Sequence, residues 1–160
     1  KIIQKGDILR YSNLIFQILN PDSEIRSIDR NENSIVLKII YHKFNLLLTG
    51  DMGKEGEKLL LDSGMNLKSD ILKLGHHGSN TSTGIEFLNK VKPENAIISV
   101  GENNFYGHPH SEVLNRLKGK GIPIWRTDKK GAVIIESDGF SYKIKGFLDE
   151  KGKWFKNRTN

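Results

Sequence analysis

Three apolar runs of this chain, NLLLTG (45–50), DILKLG (70–75) and NAIISVG (95–101), each close on a glycine and each give way to a segment with helical spacing. That alternation constrains the fold more than any other feature, because repeated strand–helix units lay their strands side by side and in parallel. The helices are predicted at KEGEKLLLDSG (54–64), TGIEFLNKVK (83–92) and HSEVLNRLKGKG (110–121), where apolar residues recur every three or four positions. PIWRT (123–127) continues the series as a fourth strand running into Asp128. Before the alternation, LIFQIL (14–19) and SIVLKIIY (34–41) are short β-branched runs between turn-forming residues and read as neighbouring strands. NLLLTG is continuously apolar, as expected of a strand covered on both faces. After the alternation, GAVIIES (131–137) and FSYKIKGF (140–147) return to strand. The fold class is therefore α/β, one layered domain or part of one at 160 residues.

Composition narrows the function classes. No run approaches the roughly 20 apolar residues of a membrane-spanning helix, and the N-terminus lacks a signal-peptide pattern. Opening on Lys1 directly into KIIQKGDILRY, the chain reads as a piece of a longer protein. The absence of cysteine removes disulfides, thiolate metal sites and cysteine nucleophiles, so a metal would have to be held by His, Asp or Glu. Lys and Arg outnumber Asp and Glu by 25 to 19, and the resulting charge of +6 suits a polyanionic partner. Much of that excess lies in KIKGFLDEKGKWFKNRTN, where a solvated basic end is the plainer reading. A domain over 1–146 and a basic tail over 147–160 are expected.

If the strands are parallel, their carboxyl ends share one edge, where open α/β sheets place ligands. Four of the five histidines lie in the turns at that edge, while His42 sits in the polar turn YHKFN and is expected on the surface. Asp51 follows TG and can serve either as a helix N-cap or as a ligand. His76 and His77 lie in a glycine-flanked turn, and with Asp51 they supply the nitrogen and oxygen donors favoured by zinc, manganese or iron. Only one of the adjacent pair can readily point inward. His108 and His110, in GENNFYGHPHSEVL, precede a helix N-terminus and can bind metal, position a phosphate or transfer a proton. Helix capping by His110 or Ser111 is the alternative.

The order LLLTGD, DILKLGHHGS, AIISVG into ENNFYGHPHSEVLNRL, and WRTDKKGAV resembles the C-terminal part of the metallo-β-lactamase-like domain of ComEC-type competence proteins and related secreted hydrolases. The resemblance extends from LNPDSEIRSIDRNENSIVLKI through GAVIIES. It implies an αββα sandwich, of which this chain would supply the C-terminal half to two-thirds, with two divalent metal ions, zinc or manganese, at one edge. By motif, Asp51 matches the carboxylate that bridges the metals. His76 or His77 matches a late histidine ligand; His76, the first of HHGS, is preferred, which leaves His77 to tune the site or contact substrate. The resemblance further implies that His108 and His110 face substrate or deliver a proton, and that Ser79, Asn103, Tyr106 and Thr127 contact substrate.

The implied chemistry is metal-activated water attacking a phosphodiester, the metals lowering the water pKa and stabilising the developing oxyanions. The family's H-x-H-x-D-H segment is absent from this sequence. The chain therefore carries about half of the implied ligands, and alone it is expected to bind metal poorly and to be inactive or nearly so. Its implied partners are the upstream half of the same domain, DNA or another phosphodiester, and the membrane channel portion of the parent, which would make it an extracytoplasmic domain. Two other readings stay open: a non-catalytic basic module that binds nucleic acid, and a metallo-β-lactamase-fold hydrolase of small substrates.

Overall fold

A computed structural model describes residues 2–22, 27–148 and 155–157. The chain opens with four antiparallel strands, β1 (Ile8–Tyr11), β2 (Leu14–Asn20), β3 (Val36–Tyr41) and β4 (Phe44–Leu48). Three strand–helix units follow: α1 (Lys54–Asp62), β5 (Ile71–Lys73), α2 (Ile85–Val91), β6 (Asn95–Ile98), α3 (Ser111–Gly119) and β7 (Ile124–Arg126). A single turn of helix, α4 (Thr127–Lys130), leads into β8 (Val133–Ser137), β9 (Tyr142–Gly146) and β10 (Phe155–Asn157). Strands β1 to β7 form one sheet in sequence order, and β4 to β7 are parallel, so the expected shared edge of strand ends is present. β8, β9 and β10 form a second, antiparallel sheet.

Side chains of a strand alternate between faces, and here the two faces bury different partners. Leu47, Leu72, Ala96 and Ile98 pack with Leu60 of α1, Leu88 of α2 and Leu117 of α3. Ile71, Ile97 and Trp125 turn the other way, against Tyr142 and Ile144 of β9. The result is three layers: helices, the seven-stranded sheet, and the smaller sheet. Strand order never reverses, so all three crossovers run in one direction and their helices fall on one face. β4 contributes Leu47 to one cluster and Phe44 to the other, as its continuous apolar run led one to expect. Each leucine or phenylalanine fully buried in these layers contributes roughly 1.5–3 kcal/mol.

Polar contacts lock the layers together. Trp125 Nε1 donates to Asn95 Oδ1 at 2.9 Å, Asn95 Nδ2 donates to the Tyr142 hydroxyl at 2.8 Å, and that hydroxyl donates to Glu94 Oε2 at 2.9 Å. Burial, and then the neighbouring Glu94, raise the Tyr142 hydroxyl well above the usual phenol range. On the helical side, carboxylates brought from elsewhere in the chain cap the helices. Glu32 accepts the amides of Gly53 and Gly56 at the start of α1, at 3.2 and 2.7 Å. Glu57 accepts those of Thr83 and Gly84 at the start of α2, and Arg116 of α3 donates to the Ser82 and Thr83 carbonyls.

Two elements carry no clear sequence signal. All four residues of β1 are exposed, so no apolar alternation marks it, and α4 is too short for periodicity. Of the segment expected as a basic tail, 155–157 pairs with β9, while 149–154 and 158–160 lie outside the described residues. Among the described residues no helix is long and apolar enough to cross a membrane.

Candidate functional site

The site is assembled from the turns at the carboxyl ends of β4, β5 and β6. After β4 the chain turns through Gly50 at φ 58°, where an added Cβ would lie 2.8 Å from the Ser34 Cβ. Only glycine fits such a left-handed, crowded position without strain. The turn closes on a bond from the Met52 amide to the Thr49 carbonyl at 3.2 Å; in addition the Asp51 amide donates to Ser34 Oγ at 3.0 Å, and the Gly50 carbonyl accepts Lys73 Nζ at 3.1 Å and the His76 amide at 3.3 Å. Asp51 is not the cap of α1; that position is Gly53, and its amide is served by Glu32. The Asp51 carboxylate is left half-exposed at the edge.

After β5, His76 and His77 are both left-handed, at φ 44° and 55°. Non-glycine residues cost about 1–3 kcal/mol each in sparsely populated backbone regions, and strain of this kind clusters at functional sites. The third residue of the turn is Gly78, whose added Cβ would meet the Pro109 Cβ at 2.7 Å. That close approach, with the His110 amide donating to the Gly78 carbonyl at 3.0 Å, docks the loop after β6 onto the histidine pair. The rings of His76 and His77 then lie 5.5 and 6.4 Å from the ring of His108, and His110 lies 4.8 Å beyond it.

Hydrogen bonding distinguishes the imidazoles chemically. His77 Nδ1 is 2.7 Å from the Ser99 carbonyl, which can only accept, so Nδ1 carries the proton. In the neutral ring Nε2 is then bare, and it faces Asp51 Oδ1 at 3.5 Å. Two electron-rich atoms pointed at each other call for a proton or a cation between them. His110 is the opposite case. Its Nδ1 accepts the Asn80 amide at 3.0 Å, so in the neutral ring Nε2 carries the proton and is a donor. His110 occupies the N-cap position of α3 but makes no capping bond through its side chain. His108 lies between these rings with a buried Nδ1 that has no hydrogen-bond partner among the described residues. Burial, followed by repulsion from His110, His76 and His77, holds its pKa below the ordinary imidazole value.

The other expected contacts divide into two groups. Asn103 and Tyr106 are exposed in the loop after β6, Tyr106 with its ring 5.8 Å from that of His108. The hydroxyls of Ser79 and Thr127 are engaged within the fold. Ser79 Oγ lies 2.9 Å from Thr81 Oγ1, and Thr127 Oγ1 accepts the Val100 amide at 2.7 Å while donating to the Val100 carbonyl at 2.8 Å. Asp128 receives a two-pronged contact from Arg126, at 3.0 and 2.6 Å, which lowers its pKa. His42 is exposed and stacks on Phe140, away from this edge.

Lys73, Ser34 and Asn104, which position the site, escape the sequence reading. A lysine inside the apolar run DILKLG is the one signal that pointed to such a role. Its ammonium sits beneath the Gly50–Asp51 turn, its pKa lowered by burial against the opposing pull of Asp51.

Asp51 and His77 form a pair of metal-compatible donors, yet among the described residues no group of three or more His, Asp or Glu is placed to hold a metal ion. Zinc sites take at least three protein ligands, so the described donors do not constitute one.

No family model matches the chain. It is 41% identical over 131 residues to ComE operon protein 3 of Bacillus subtilis (strain 168), covering 82% of this chain and 17% of that protein. It is 47% identical over 119 residues to competence protein ComA of Neisseria gonorrhoeae, covering 74% of this chain and 17% of that protein. Recombination protein 2 of Haemophilus influenzae is 39% identical over 125 residues, 78% of this chain and 16% of that protein. The chain thus spans about a sixth of the length of these relatives. Shared sequence over three-quarters or so of its length makes this chain a homologue of one segment of the ComEC-type competence proteins.

Proposed function

We propose that this chain is the later portion of a metallo-β-lactamase-like domain that hydrolyses phosphodiesters, with DNA as substrate, within a DNA-uptake protein. The observation that carries the reading is the approach of His77 Nε2 to Asp51 Oδ1 at 3.5 Å, set beside three more imidazoles at one edge of a parallel sheet. Asp51 and one histidine of the 76–77 pair would be part of a divalent-metal site whose remaining ligands come from outside this chain. The geometry favours His77 as that ligand over the His76 preferred from the motif, since it is the ring of His77 that approaches Asp51. His110, whose Nε2–H is a hydrogen-bond donor in the neutral ring, is suited to hold a substrate oxygen, and His108 beside it, its pKa lowered chiefly by burial, to keep the site from accumulating positive charge. This chain's share of the hydrolytic domain would be residues 1–146, and the parent would hold the domain on the extracytoplasmic side beside its membrane portion.

The test joins this chain to the segment that precedes the matching region in the Bacillus relative. The joined protein should cleave labelled DNA in the presence of manganese or zinc, and Asp51→Ala should lower the rate by about a thousandfold or more, whereas the chain alone should cleave nothing measurable. Cleavage that survives Asp51→Ala, or survives chelation, would rule the reading out.

A further inference from the structure

We infer that Phe105 and Tyr106 are a stacking platform for unpaired bases, which makes single-stranded nucleic acid the preferred ligand of the histidine edge; the inference rests on the phosphodiester reading above. Phe105 is 105% and Tyr106 80% exposed. Aromatic side chains of this size normally bury most of their surface, so two aromatics consecutive in the chain and both held in water call for a partner. The loop that carries them is built. Asn104 Nδ2 donates to the carbonyls of Gly101 and His108, at 3.2 and 2.7 Å, while its Oδ1 accepts the His108 amide at 3.0 Å. These bonds draw the two ends of the loop together and leave Phe105 and Tyr106 at its apex, with Asn103 turned left-handed at φ 54° just before them. The Tyr106 ring meets that of His108 edge-on at 5.8 Å, so the platform is continuous with the imidazoles.

Bases inside a duplex already stack on one another and cannot reach such rings, whereas a single strand offers them freely and every base has a π-face. The rings therefore discriminate by strandedness and tolerate sequence, while the net charge of +6 favours a polyanion in general. Insertion of the two rings into a lipid surface is the competing use. The loop disfavours it, because its two aromatics stand among the polar residues Glu102, Asn103 and Asn104 and belong to no amphipathic helix that could lay an apolar face in the lipid.

The experiment measures fluorescence anisotropy of a labelled oligo-dT strand of about 12 nucleotides, an abasic strand of equal length, and the matching duplex, without metal, on the chain and on Phe105→Ala/Tyr106→Ala. Both substitutions are at exposed positions, and circular dichroism verifies the fold. The double variant should lose about tenfold or more in affinity for oligo-dT while its affinity for the abasic strand and the duplex changes less than about twofold. An unchanged oligo-dT affinity, equal losses on oligo-dT and abasic strands, or no binding of oligo-dT by the unaltered chain would each overturn the inference. So would co-sedimentation with phosphatidylglycerol vesicles that the double variant loses while its oligo-dT affinity is unchanged. Failure of the hydrolase reading shows up only in cleavage by the joined protein, which these affinities do not involve.

Discussion

Glu57 shows how one side chain can couple the fold to pH. Its carboxyl is buried, serves the amides that open α2, and is pushed up to about 7, mainly by burial, against the pull of those amides and of Arg116. Glu32, capping the helix on which Glu57 rides, adds to the upward push. A carboxyl whose folded pKa lies above its unfolded one binds its proton more tightly when folded. Its contribution is therefore complete below an unfolded pKa of about 4.3 and is lost as pH rises to about 7. Urea denaturation should show the unaltered chain losing on the order of 3–4 kcal/mol across that window relative to Glu57→Gln, whose amide does not titrate; parallel pH profiles would contradict the assignment. Gly78 presents a steric rather than an electrostatic constraint. Gly78→Ala places a methyl against Pro109 at a left-handed position and should destabilise the chain by about 1–3 kcal/mol, read from the urea midpoint, because two loops must part to admit it.

At the level of elements, the contact between the two sheets is fastened by the Tyr142 hydroxyl as well as by apolar packing. Tyr142→Phe keeps the ring packed against Phe44 but removes the acceptor of Asn95 Nδ2 and the hydroxyl that donates to Glu94 Oε2. The expected cost is about 1–3 kcal/mol, measured by urea unfolding, with the near-ultraviolet signal of Trp125 altered because its indole partner is Asn95. The strand–helix alternation that organises these elements was legible in the sequence because its period and its closing glycines are local properties. β1 was not legible: Ile8, Leu9 and Tyr11 are exposed, and the strand exists because the turn at Ser12 folds it back onto β2. The caps supplied by Glu32 and Glu57 were equally hidden, since each reaches a helix across more than 20 residues and no local motif marks the pairing.

For the whole molecule, the histidine edge was legible in outline and not in detail. Glycine-terminated runs followed by Asp51, His76, His77, His108 and His110 pointed to a shared edge, and the parallel register of β4 to β6 supplies it. Which nitrogen of each ring is free depends on the carbonyl of Ser99 and the amide of Asn80, contacts made only once the loops are docked. Thr127, equally well placed by sequence order, instead fastens the start of α4 to the segment after β6.

Because neighbours in the large sheet are also neighbours in the sequence, its edge can be read like a line of text. Asp51 comes first, then the paired histidines, then His108 and His110, then Thr127, with one helix between successive stations. Each station is thus a separate cassette, returned to the same edge by its own crossover. A crossover can lengthen, shorten or change its surface chemistry without changing the order of its neighbours, leaving the loop around Phe105 and Tyr106 free to vary in what it grips while the row of chemical groups beside it stays in place.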